Sequence, residues 1–549
     1  MTRLLPFTSL AAVLLSALPL PAQQAMTTVD SAVHVLNRLA YGPLPGQVDR
    51  VADEGVWHWI DRQLQPEGID NRILEHRERE FTVLDYSRDD LAGAFLSLQR
   101  ERRERQRTMA QSDDSVTRRG PDRRMSSRGR ELRQLGSQVG QLVVVRASLS
   151  NRQLEEIMVD FWANHFNVYF AKGLDRVLLP HYIEQTIRPN AMGRFEDILL
   201  ATARDPAMLF YLDNMHSVAP GSRPPGLDRR LARMSRSGGR GAARADSLRR
   251  RMEARLPRGL NENYARELLE LHTVGVDAGY TQDDVVDVAR ILTGWSISRR
   301  DDRVRFQFNA WAHDRGEKTV MGHRFPPGRG QDEGERLLAM LADHPATMQY
   351  LSGKLCTRFV SDGPTPGCVA AAVAAWRRTG GDIPAVLRAI FASPDFWSAA
   401  HRGAKIKTPL EFTVSAVRSV GGMPGTGPGM SRVVAQLGQP LYLKAAPTGY
   451  PETAEDWVNS GALLNRMNVA MALVSNKLPG ITVDLDGVIP MSGSIDALID
   501  AVDQRVLAGQ MTQRTREVIR SELEEVADPA ARRMLAVGLA IGGPEFQRQ

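Results

Sequence analysis

Outside two arginine-rich stretches, apolar residues recur every three to four positions along nearly the whole chain, a period that helices satisfy and strands do not. SAVHVLNRLAYG, capped by Asp30 or Ser31 and closed by Gly42, is followed by GVWHWIDRQLQP. QLVVVRASLS, LEEIMVDFWANHFNVYFAKG, HYIEQTIRP and FEDILLATARDPAMLFYLDN continue the pattern, separated by short breakers. Thr408-Pro409-Leu410-Glu411 spells a capping box with proline at the first helical position, and Asn459 opens another helix. The exception is VRFQFNAWAHDRGEKTVMGHRF. There Val304, Phe306 and Phe308 alternate with polar residues, and Thr319 to Met321 offers a return strand across DRGE. The expectation is a mainly α fold: a large multi-helix body with one small β-hairpin near 304–325 and two disordered or loosely ordered Arg-rich insertions.

The first residues, MTRLLPFTSLAAVLLSALPLPAQQA, have the early arginine, apolar run and small residues of a cleaved secretory signal. A retained N-terminal anchor is the alternative. No later apolar run reaches the ~18 residues of a membrane span, so a periplasmic or extracellular location follows, with no membrane span after signal cleavage. The remaining chain divides at composition shifts. N-terminal helices occupy 26–100, an Arg-rich insertion 101–135, a helical core with FWANHF 136–220, and a second insertion 221–258. A helical hairpin with NENYARELLELH fills 259–303, the β-hairpin with HDRGEK 304–327, a helical core 328–480, and a closing helical layer 481–549.

The net charge of +6 is local in origin. Segment 101–133 holds eleven Arg against six acidic residues and segment 221–258 twelve against three, so together they contribute +14 and leave −8 elsewhere. Both nearly lack aromatic residues on which bases could stack. No specific nucleic acid is therefore expected. Clustered arginine can instead attract an anionic envelope polymer, lipid headgroups or cell-wall material, although arginine outnumbers lysine throughout the chain and a general coding bias explains that by itself. The two cysteines, Cys356 and Cys368, flank the turn-like SDGPTPG. In an oxidising compartment a local disulfide is expected; two unpaired thiols are the plain alternative.

In NENYARELLELH, at about 100° per residue, Tyr264, Leu268 and Leu271 share an arc with His272 at its centre. Asn263 and Glu267 lie at its border, well away from His272. The metalloprotease spacing of two histidines four apart is missing, so this helix alone forms no chelate. In DFWANHFNVYF, Phe161, Trp162, Val168 and Tyr169 surround His165, while Asp160, Asn164 and Asn167 line the opposite side. Each buried imidazole either finds a backbone carbonyl or a carboxylate such as Glu267, or both converge on one pocket. A third piece, HDRGEK, presents His313, Asp314 and Lys318 on a turn. Aspartate and glycine are also ordinary turn formers.

FWANHF, NENYARELLELHTVGVDAGYTQDDVVDVARILTGW, HDRGEKTVMG, KIKTPLEF with a later GGM, and GYPETAEDWVNS followed by LLNRM occur in a series that resembles the bacterial domain-of-unknown-function family 1800, from about Val33 to the C-terminal PEF. The resemblance implies a large, mostly helical, often secreted protein, frequently encoded beside a secreted sulfatase- or phosphatase-like partner, with no agreed activity. Its signature segments contain the polar positions named above, with Thr293 to Trp295, Lys407 and Glu411. Two readings follow. In one, His165, Glu267, His272, His313, Asp314 and Lys318 form the catalytic cluster of an envelope hydrolase, with Asn164, Asn263, Trp295 and Lys407 as binding residues. A divalent metal (zinc, manganese or iron) would take its ligands from His165, His272, His313 and Asp314. In the other, the chain is a non-catalytic accessory or binding protein for the secreted partner. The chain has no GxSxG elbow, P-loop or dinucleotide fingerprint.

Overall fold

Residue-level chemistry sets where each helix of the computed structural model starts and stops. The structure describes residues 26–111, 127–227, 259–299, 303–491 and 493–549, with isolated positions between 228 and 258. The expected signal sequence and much of both Arg-rich insertions lie outside the described residues. Helix α1 (Thr28–Arg38) begins before the expected cap, because the Thr27 hydroxyl accepts the Asp30 N–H at 3.1 Å. Asp30 instead sits in the first turn, where its carboxylate suits the helix dipole. Helices α2 (Arg88–Gln111) and α3 (Ser127–Leu149) carry the two ends of the first Arg-rich insertion, so those ends are helical.

Helix α4 (Gln153–His165) stops where the FWANHF segment needs it to stop. The Asn167 side-chain amide donates to the carbonyls of Lys444 and Ala446 at 3.0 and 2.8 Å. These bonds tie the chain after His165 to a distant loop instead of a further helical turn. Helix α5 (Asp175–Tyr182) follows. In NENYARELLELH, α6 (Asn263–Glu267) runs directly into a π-helical turn, Leu268–His272. Helix α7 (Gln282–Ile291) starts at a capping box of Thr281 with Asp284.

The β structure differs in pairing from the single hairpin across DRGE. Strand β1 (Trp295–Ser298) pairs antiparallel with β2 (Arg305–Phe308), Trp295 opposite Phe308. Strand β3 (Lys318–Val320) pairs with β4 (His323–Phe325). Met321 and Gly322 both take positive φ, 47° and 81°, as a two-residue turn matched to strand twist requires. Val304 to Phe308 therefore pairs backward and Thr319 forward. Strand β3 and its turn are fixed to α7 by side chains: Thr319 N–H donates to Asp287 at 2.7 Å and Met321 N–H to Asp284 at 2.6 Å. A two-residue pair, β5 (Met423–Pro424) with β6 (Ile481–Thr482), completes the strands among the described residues.

The rest of the described chain is again mostly helical: α8 (Gln331–Ala342), α9 (Pro345–Phe359), α10 (Pro366–Thr379), α11 (Pro409–Ser419), α12 (Ser460–Val474) and α13 (Pro529–Gly542). Cys356 on α9 and Cys368 on α10 are bonded, with Cα atoms 6.1 Å apart. The Thr408–Glu411 capping box forms as read, Glu411 accepting the Thr408 N–H at 2.8 Å. Helices α12 and α13 approach closely, since a Cβ on Gly538 would lie 2.3 Å from the Met471 sulfur. Buried apolar side chains from Ala32 to Phe546 form one continuous cluster, so N- and C-terminal segments share a core. Among the described residues, no helix is long and apolar enough to cross a membrane.

Candidate functional site

His165, at the last turn of α4, and His272, at the end of the π turn, lie side by side with ring centroids 6.1 Å apart. Both are buried among aromatic rings, Phe166 lying 4.6 Å from His165 and 5.1 Å from His272. His165 Nε2 is 3.2 Å from the His272 carbonyl oxygen. A carbonyl only accepts, so Nε2 carries the proton and Nδ1 is the acceptor. That acceptor faces Lys354 Nζ at 3.0 Å. The result is a fixed series: backbone carbonyl, neutral imidazole, lysine.

Electrostatics agree with a neutral imidazole. Burial, then the Lys354 ammonium, holds the His165 imidazole well below its ordinary range. Burial, then the same ammonium, brings His272 down to about 3. Burial also lowers Lys354 to about 8, against the opposing pull of the Glu452 carboxylate. That shift is in the direction found for cleft lysines used for proton transfer.

Lys354 and His165 line a cleft of about 760 Å³, within the range of small-molecule sites. One wall comes from α4 and α9, another from the start of α10, and the third from the loop carrying Thr448, Tyr450 and Glu452. Asn164 fixes that loop. Its side chain accepts the Tyr450 N–H at 2.7 Å and donates to the Tyr450 carbonyl at 2.8 Å. Gly449 is required beside it, because φ is +70° and a Cβ would fall 2.5 Å from Asn164 Oδ1. The asparagines of FWANHFN therefore shape the cleft by holding its loop.

The HDRGEK side chains belong to a different cluster. His313 Nδ1 donates to the Thr293 carbonyl at 3.0 Å, and Nε2 faces Glu333 at 3.3 Å. Lys318 is buried and reaches Glu333 at 2.7 Å and the Asp314 carbonyl at 2.5 Å. Asp314 takes a two-pronged bond from Arg290, at 3.1 Å for each oxygen. None of these residues lines the cleft. The structure thus brings together His165 and His272 from the sequence-derived set and gathers His313, Asp314 and Lys318 around Glu333.

The other sequence-derived residues are dispersed. Glu267 is half-buried, its carboxyl raised first by burial and then by Glu270. Asn263 donates to the Leu212 carbonyl at 3.2 Å, anchoring the start of α6. Trp295 is fully buried, against Phe306 and Gly334. Lys407 is buried, donates to the Phe546 carbonyl at 2.8 Å and lies over the Phe546 ring. Burial brings it down to about 7.

The four candidate metal donors do not converge on one point: His165 and His272 lie together, His313 and Asp314 in the other cluster. Both ring nitrogens of His165 are engaged, and the described residues contain no group of three or more His, Cys, Asp or Glu placed to hold an ion. Sequence reasoning missed Lys354, Tyr450 and Glu452. A signal was present: Lys354 and Arg358 fall on the same helical arc as Leu351 and Leu355, two cations on an apolar face.

Neither a curated relative nor a solved structure matches this chain. One family model does, covering residues 34–548 and with it both histidines, Lys354 and the cleft loop. The chain belongs to the family described as "Protein of unknown function (DUF1800)".

Proposed function

We propose that this protein is an envelope hydrolase whose active site is the His165–Lys354 cleft, with Lys354 as the general base. One observation carries the reading: at the cleft wall, His165 is locked between the His272 carbonyl and Lys354. An imidazole fixed in this tautomer accepts one hydrogen from the lysine, which orients the amine toward the open cleft. As the free amine, Lys354 takes a proton from an attacking water; as ammonium it returns that proton to the leaving group. The substrates to try first are esters, phosphoesters and glycosides. Action in the envelope is supported by the N-terminal signal pattern and by the bonded cysteine pair.

The test is a substrate screen followed by a pH profile. A base that must be deprotonated gives kcat/KM rising with pH and levelling above about 8, the value to which burial lowers Lys354. Lys354→Met is expected to lower kcat by about 10²-fold or more. Lys354→Arg gives no rescue, because a guanidinium stays charged. Undiminished turnover in Lys354→Met would sink the proposal.

A second reading is a non-catalytic accessory protein for a secreted sulfatase- or phosphatase-like partner. It is favoured by how many signature side chains are spent on the fold: Asn164 on Tyr450, Asp314 on Arg290, and Lys318 on Glu333. In that case Lys354 is an electrostatic anchor, and the pH dependence reverses. Affinity for an anionic ligand is then full below about 8 and fades as the ammonium is lost above it.

A further inference from the structure

We propose that a second cleft, separate from the His165 cleft, binds a single-chain amphiphile with an anionic phosphate head group. It lies between α2, α3 and the segment around residues 428–443, has a volume of about 490 Å³, and shares no lining residue with the first. Its interior is apolar, formed by Phe95, Leu98, Leu132, Phe170 and Leu441. Gly136 and Gly140 on α3 leave room there. A Cβ on Gly136 would meet the Phe170 ring at 2.7 Å.

The rim has the opposite character. Arg102, Arg133, Arg176 and Arg432 all line the cleft, and among the described residues no aspartate or glutamate does. Among the described residues, none of the four forms an ion pair, whereas many arginines elsewhere on the chain do, such as Arg290 with Asp314. Arg176 makes one bond, from Nε to the Ala171 carbonyl at 3.2 Å, which leaves its outer nitrogens available. Four un-neutralised guanidinium groups around an apolar hollow fit a ligand with a doubly charged head and an apolar tail. The planar guanidinium fork suits phosphate oxygens in pairs. A free phosphate would leave the hollow unfilled, and a neutral apolar molecule would leave the rim unused.

The experiment titrates the purified chain with palmitoyl lysophosphatidic acid, below its aggregation concentration, by calorimetry. Palmitoyl lysophosphatidylcholine supplies the same tail with a neutralised head, and glycerol phosphate the same head without a tail. Saturable binding of the first is expected. The choline lipid should bind about tenfold more weakly or worse, because its own cation competes with the arginines, and glycerol phosphate should show no saturation. Gly140→Leu fills the hollow from a helix position where leucine is a better helix former than glycine, and it is expected to abolish binding. Arg432→Glu, at an exposed position, should weaken binding about tenfold with the circular dichroism melt unchanged. Equal binding of both lipids, saturable binding of glycerol phosphate, or unaltered binding in Gly140→Leu would each overturn the assignment. Because Lys354 lies in the other cleft, Lys354→Met should bind the lipid as wild type does, which separates failure of this site from failure of the hydrolase reading.

Discussion

Replacing Glu411 by alanine is expected to cost the fold about 3–5 kcal/mol, because it strands the buried Arg358 guanidinium. Glu411 pairs with Arg358, accepts the Gln549 amide at 3.0 Å, and closes the capping box on the Thr408 N–H. The nearest substitute, Glu452, stands 3.6 Å from Arg358 and is more exposed. The measurement is the denaturant midpoint at unchanged slope. A loss below about 1 kcal/mol would show that Arg358 finds other partners or water. Acid should reproduce part of the effect. Burial by itself would raise the Glu411 carboxyl, but Arg358, Gln549 and Thr408 hold it at about 2. Its stabilisation is therefore present in full above the unfolded value near ~4.3 and is lost as pH falls toward about 2. Glu411→Gln should flatten that part of the acid limb.

Lys318→Met is expected to be of similar size, about 3–5 kcal/mol, for the same physical reason with the signs exchanged. Glu333 is buried, one of its oxygens already lacks a partner, and Lys318 is the cation on the other. The double variant Lys318→Met/Glu333→Leu should recover most of the loss, since removing both members of a buried pair leaves no stranded charge. The bond from His313 to the Thr293 carbonyl involves neither substituted residue and is expected to persist in both variants. Under the hydrolase reading, turnover per folded molecule should match wild type. Lost turnover with intact stability would move the HDRGEK turn into the catalytic machinery.

How much of this was legible in the sequence depends on how far each partner lies along the chain. The capping box at Thr408 was readable because its bonds span three residues. The burial of His272 followed from its spacing to Tyr264 and Leu268. The end of α4 at His165 was not readable, because it is fixed by Asn167 bonding to carbonyls of Lys444 and Ala446, far away in sequence. The single hairpin expected across DRGE is two in the structure, β2 pairing back to β1 and β3 forward to β4, and Met321-Gly322 is an uncommon sequence for a two-residue turn. Lys354 lies outside the polar segments that drew attention in the sequence, and the imidazole that positions it lies 189 residues earlier. HDRGEK looked chemical because its composition is polar. Composition does not show that Glu333 and Arg290 take up its charges.

The Cys356–Cys368 bond joins the two helices that wall the His165 cleft and encloses SDGPTPG in a covalent ring. A proteolytic cut within that ring would leave both ends attached, so the cleft walls stay tethered across the nick. Nicked and intact chains should then migrate together until a reductant is added. In surroundings with proteases, this segment can be cut without releasing either wall.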